Sequence, residues 1–192
     1  MILYLSVIFI SMGLIAGFNI IFNSAWHNLA VWQIIVAVVV GVLLEIVIEG
    51  IFAFIISRMP NKFFKHESKL FNISKKEQKF YEKIGIRKWK DKVLELGRLN
   101  HFSKKRLLEP ENNEYLNKFL IECYKGIVIH IFGIVFGCLL VVILPLKLWL
   151  KISLPIILVN TILNLMSIFI LRYNIPKLRT MIKYNQRHKN KD

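Results

Sequence analysis

Residues 1–57 hold no lysine or arginine, residues 58–122 hold 17 of the chain's 27, and residues 124–171 return to almost unbroken apolar sequence. A bilayer core needs roughly 20 predominantly apolar residues in a helix, and backbone exposed to lipid must close its hydrogen bonds within its own segment. Both apolar halves therefore read as helical hairpins in a membrane. Four runs are long enough, at about Ile2 to Phe22, Val31 to Ser57, Ile127 to Leu146 and Ile152 to Leu171. Asn23-Ser24 closes the first and Arg58-Met59-Pro60 the second, and a short turn from Lys147 to Lys151 separates the last two. The expected fold is an all-α, polytopic membrane protein with about four transmembrane helices. Its parts are a hairpin at 1–57, a basic interfacial segment at 58–122, a second hairpin at 123–172 and a basic tail at 173–192.

Orientation follows from the same asymmetry, because lysine and arginine near the spans collect on the cytoplasmic side. Asn23 to Ala30 has neither, whereas 58–122 and the tail from Arg172 carry nearly all of them. Both termini and the middle block are expected in the cytoplasm, at a cell membrane. The first run lacks a positive leader region and is long for a cleaved signal, so it reads as a span. A net charge of +15 points to the anionic inner leaflet, since juxtamembrane basic residues each gain about 1 kcal/mol there. The aromatic and basic residues follow no nucleic-acid module, and Cys123 and Cys138 lack the spacing of a disulfide framework or zinc site.

Ionisable side chains within spans are costly and mark functional positions; here they are Glu45, Glu49 and His130. Glu45 and Glu49 stand four residues apart and share a helix face. Counted at 1.5 Å per residue from the cytoplasmic boundaries, Glu49 lies roughly 13 Å deep, His130 roughly 8 Å and Asn164 roughly 12 Å. A shared polar pocket is the expected consequence. Two readings stay open: the carboxylates pair structurally, with Lys125 or Arg172 as partners, or they carry function. Asn160, Thr161, Asn164 and Ser167 read equally as hydrogen-bonding glue between helices.

In the middle block, Phe63-Phe64, Leu70-Phe71, Phe80-Tyr81, Ile84, Ile86, Trp89, Val93-Leu94 and Leu96 interleave with basic residues. That pattern suits short interfacial helices, with Trp89 in the headgroup layer. Ser74 followed by Glu77 predicts a capping box opening a helix through Lys83. Gly97 and the Glu109-Pro110-Glu111-Asn112-Asn113 run predict breaks, and Glu114 to Cys123 a helix leading into the third span.

Arg58-Met59-Pro60-Asn61-Lys62-Phe63, Gln78-Lys79-Phe80-Tyr81 and Gly85-Ile86-Arg87-Lys88-Trp89-Lys90-Asp91 resemble the cytoplasmic segment of the glycosyl-4,4'-diaponeurosporenoate acyltransferases of carotenoid (staphyloxanthin-type) synthesis. Asn164 with Arg172-Tyr173-Asn174-Ile175-Pro176-Lys177-Leu178 resembles that family's ending, and Glu122 and His130 fall at a family Glu and His. Where the family carries a carboxylate shortly before its His, this chain reads Lys125-Gly126-Ile127-Val128. The resemblance covers about residues 58–187. It implies an integral-membrane enzyme that esterifies a sugar hydroxyl of a carotenoid-linked or other lipid-linked glycoside with a fatty acyl group. The donor would be acyl-CoA or an acyl carrier protein, with no resident cofactor or metal.

Acyl transfer to a hydroxyl needs a base at the attacking oxygen and donors where carbonyl charge develops. His130 is the expected base, and Glu49 or Glu45 would hold its tautomer in place of the missing family carboxylate. Asn164 would be an amide donor to the oxyanion. Arg87, Lys90 and Arg172 would bind a phosphate of the acyl carrier or a lipid, with Trp89, Glu122, Tyr173 and Asn174 as further substrate contacts. Two other functions fit the residues: a non-enzymatic scaffold or lipid-binding protein, and a small transporter using Glu45 and Glu49.

Overall fold

The computed structural model describes residues 2–26, 28–64, 68–92, 107–144 and 148–189. Expectations placed on Val93-Leu94, Leu96, Gly97 and Lys147 lie outside the described residues. Among those described, every regular element is helical: α1 (Ile2–Ile21), α2 (Asn23–Trp26), α3 (Val31–Arg58), α4 (Lys75–Lys83), α5 (Ile86–Trp89), α6 (Asn113–Gly137), α7 (Leu140–Ile143) and α8 (Leu154–Lys189), with short 3-10 and π turns between them.

Three runs are long and apolar enough to cross a membrane, namely α3, the α6–α7 run Asn113–Ile143, and Leu150–Lys189. The apolar stretch of α1, Leu5–Ile21, is shorter; its 17 residues rise roughly 25 Å, somewhat less than the hydrocarbon core. The boundaries follow local chemistry. Helix α3 stops at Arg58 because Pro60 disfavours helical backbone at the residue before it. Asn112 starts α6 by accepting from the backbone N–H groups of Glu114 and Tyr115, at 3.0 and 3.2 Å, which is how an amide side chain caps a helix. That places the expected break before Asn113 and runs the lead-in helix unbroken into the third span. The helix that carries the fourth apolar run does not stop at Leu171, as α8 continues through Pro176 to Lys189. Pro176 removes one N–H from the helical ladder, and the basic tail is helical nonetheless.

The described chain divides into two compact units. In the unit of Ile2–Ile55 and Ile129–Leu165, a core of Ile34, Val38, Leu140, Leu144, Ile152 and Ile156 is closed to solvent. Phe52 of α3 stacks on Phe136 of α6 with centroids 4.4 Å apart and packs at a tilt against Phe132 at 5.2 Å. Buried Asn19 of α1 donates to the Ile15 and Lys151 carbonyls, both at 2.8 Å, so its amide is satisfied as a buried polar group requires.

In the unit of Ile56–Val128 and Met166–Asp192, Tyr81 of α4 and Ile86 of α5 bury themselves against Ile170 and Tyr173 of α8. The predicted capping box is present, Ser74 Oγ accepting from Glu77 N at 3.1 Å. Phe71 stacks on Tyr124 at 4.1 Å, and Arg179 joins them by donating to the Phe71 carbonyl and the Tyr124 hydroxyl, both at 2.9 Å.

Candidate active site

Helices α3, α6 and α8 each bring a pair of residues four apart to one polar cluster, all within the first of these units. Glu45 and Glu49 come from α3, Asn160 and Asn164 from α8, and Gly133 and Gly137 from α6. The pairs match rung by rung. Asn160 Nδ2 donates to Glu45 Oε2 at 2.9 Å, and one turn further Asn164 Nδ2 donates to Glu49 Oε1. The rungs are tied together, because Asn164 Nδ2 also donates to Asn160 Oδ1 at 2.8 Å and to the Asn160 carbonyl at 3.1 Å.

The glycines let the rungs form. A methyl group on Gly137 would stand 2.6 Å from both Asn160 Nδ2 and Glu45 Oε2, and one on Gly133 would stand 2.8 Å from Glu49 Oε1. Gly133-Ile134-Val135-Phe136-Gly137 is thus a small-residue stripe that admits close approach between membrane helices. The signal for it in the sequence is the G-x-x-x-G spacing itself.

His130 completes the cluster, with Nδ1 2.7 Å from Asn164 Oδ1. Three oxygen acceptors around Asn164 Nδ2 fix the amide orientation, so Oδ1 is the atom turned to His130. A carbonyl oxygen can only accept, hence Nδ1 carries the proton, and in the neutral imidazole the lone pair resides on Nε2. His130, Asn164 and Glu49 therefore form an imidazole, an amide and a carboxylate in series.

Two expectations change here. Glu49 does not hold the imidazole directly, because Asn164 stands between them. Asn164 is not an oxyanion donor, because its N–H groups are already given to Glu49 and Asn160. The proposed partners of the carboxylates are engaged elsewhere too. Lys125 Nζ lies 3.3 Å from Glu122 and donates to the Ser57 carbonyl at 3.2 Å, and Arg172 is bound to Glu77.

The remaining expected substrate contacts fall in the second unit. Arg172 donates to Glu77 Oε1 at 2.5 Å and Oε2 at 2.9 Å, to the Asn72 carbonyl at 3.3 Å and to the Leu70 carbonyl. Its fork is used up inside the fold, which removes it as a phosphate ligand. Trp89 Nε1 donates to the Ile84 carbonyl at 3.2 Å, and its ring packs on the Tyr81 cluster. Arg87 is exposed, donating to the Tyr173 hydroxyl at 2.8 Å with Glu82 3.3 Å away. Lys90 lies 3.3 Å from Asp91, Glu122 is exposed and Asn174 half-buried. Among the described residues no three His, Cys, Asp or Glu side chains converge as a metal site would need.

A family model described as glycosyl-4,4'-diaponeurosporenoate acyltransferase matches residues 60–184. The chain belongs to this family. The acyltransferase match takes in His130, Asn160 and Asn164 and leaves Glu45 and Glu49 outside it. Membership makes the protein an acyltransferase of carotenoid biosynthesis, and the apolar helices place it with membrane proteins. No curated protein and no solved structure matches the chain.

Proposed function

We propose that the protein is an integral-membrane O-acyltransferase that moves a fatty acyl group from a thioester donor to a hydroxyl of a carotenoid-linked or related lipid-linked sugar. The observation that carries this reading is the 2.7 Å contact between His130 Nδ1 and Asn164 Oδ1, which sets the tautomer a general base needs. In the reaction the acceptor oxygen forms a bond to the acyl carbon as the carbon–sulfur bond breaks. His130 Nε2 takes the hydroxyl proton and returns it to the departing thiolate. Glu49, acting through Asn164, favours the positive imidazolium in between, where low dielectric strengthens the interaction. Arg87 and Lys90 are the basic residues proposed to meet a phosphate of acyl-CoA or an acyl carrier protein. Purified protein supplied with a fatty acyl thioester and a glycosylated carotenoid is expected to form the ester, read by mass spectrometry. Intact substrate throughout would return the choice to a scaffold or a transporter.

The same reading makes α1 a fourth span, with both termini and residues 58–122 at the cytoplasmic face of the cell membrane, as the lysine and arginine distribution favours. With Glu111→Cys and Ala30→Cys in turn, a thiol reagent that cannot cross membranes is expected to label only Cys at position 30 in intact cells. Rapid labelling at 111 and none at 30 would invert the topology.

A further inference from the structure

The carboxylate rungs have a second side that the His130 relay does not use. An open-sided cavity lies among α1, α3 and α8, with walls that are mostly apolar, Met12 and Ile156 among them. Its polar lining is Ser11, Glu45, Glu49 and Asn160. Glu45 is only 5% exposed. Its Oε2 is held by Asn160, but its Oε1 is buried with no hydrogen-bond partner among the described residues. A buried acceptor left unmade is costly, and native structures rarely keep one without a reason.

We propose that this cavity is the subsite for the acyl acceptor, binding an apolar molecule whose end carries a neutral hydroxyl that donates to Glu45 Oε1. The assignment rests on the acyl-transfer reading, because that reaction requires a hydroxyl-bearing substrate beside the donor. Chemistry decides between the two substrates. A fatty acyl chain has no hydrogen-bond donor to give Glu45, and a phosphate of the acyl carrier would meet two carboxylates. A cation is the weaker occupant, because a buried ammonium would have to leave water for hydrocarbon. Glu49 both lines the cavity and accepts from Asn164. A sugar or polyol head held at Glu45 thereby shares one wall, Glu49, with the chain that runs through Asn164 to His130.

Photolabelling of the purified full-length protein tests this with three diazirine probes of equal chain length, an alcohol, an alkane and an alkylammonium, located by peptide mass spectrometry. The alcohol is expected to label residues 8–15, 42–49 and 156–163 more strongly than the alkane. Glu45→Leu should weaken alcohol labelling about tenfold, on the order of one hydrogen bond to a charged acceptor, while leaving the alkane unchanged. Met12→Trp, which narrows the cavity without touching the polar rungs, should weaken both and keeps the test decisive if Glu45→Leu fails to fold. Equal labelling by alcohol and alkane, or an alcohol signal indifferent to Met12→Trp, would overturn the subsite. Stronger labelling by the ammonium would replace it with a cation site. Ester formation with no alcohol label in the cavity counts against the subsite alone, and cavity labelling without ester formation counts against the acyl-transfer reading.

Discussion

His130→Ala is expected to lower the rate of acyl transfer 10²- to 10⁴-fold, as loss of a general base does, which corresponds to roughly 3–5 kcal/mol in the barrier. The size follows from the geometry around the ring. Asn164 Oδ1 holds Nδ1–H at 2.7 Å, so one tautomer is preset, and the attacking hydroxyl meets a lone pair without a reorganisation step. Asn164→Leu keeps the ring and removes the orientation, and a smaller loss is expected, with the pH dependence of the rate shifted because Glu49 no longer communicates with the imidazole. A purely structural histidine would not move that profile. The assay is ester formation per mole of monodisperse protein in detergent, with His27→Ala as the control at unchanged rate, since His27 falls in the Asn23 to Ala30 stretch between the first two apolar runs. Full activity in His130→Ala would pass the role of base to Glu49 or Glu45.

Some of this cluster is legible in the sequence alone. Charge in a span is rare enough that Glu45, Glu49 and His130 stand out, and counting helical rise puts Glu49 and Asn164 at nearly one depth. Helix rotation is what linear counting cannot supply, and rotation decides that Asn164 lies between His130 and Glu49 rather than beside an oxyanion. The register itself leaves a trace in the sequence: Glu45/Glu49, Asn160/Asn164 and Gly133/Gly137 share one spacing of four. Two polar pairs and one pair of glycines at equal spacing are what three helices need to meet around two hydrogen-bonded rungs. The capping box at Ser74 was readable because its partners are three residues apart. Arg172 was not, because its carboxylate partner Glu77 lies 95 residues away and a basic residue at a span's end has an equally good explanation in lipid phosphate.

The Arg172–Glu77 pair sets the second large effect, on stability. Arg172→Met is expected to destabilise the protein by about 3 kcal/mol, the low end for breaking a buried ion pair, since both side chains keep some exposure, 16% for Arg172 and 23% for Glu77. The loss exceeds that of a surface pair because the guanidinium binds Glu77 through both oxygens and ties down the Leu70 and Asn72 carbonyls as well. Burial alone would raise the Glu77 pKa, but hydrogen bonds from Arg172, Tyr81 and the Ser74 backbone outweigh it and hold the carboxyl below its ordinary value of 4.5. A carboxylate whose pKa is depressed by folding stabilises the fold fully above its unfolded value, and the contribution disappears as pH falls through the folded one. Thermal unfolding in detergent, followed by tryptophan fluorescence, should therefore show wild-type stability falling below about pH 4.5, with Glu77→Gln lower at neutral pH and flatter in acid. Glu77→Gln combined with Arg172→Met should recover part of the loss of either single change, because the harm of each lies in leaving its partner's polar group buried and unmatched. Wild-type stability in Arg172→Met at neutral pH would show that the bidentate contact adds nothing to the fold, and would return Arg172 to the set of residues available to a phosphate.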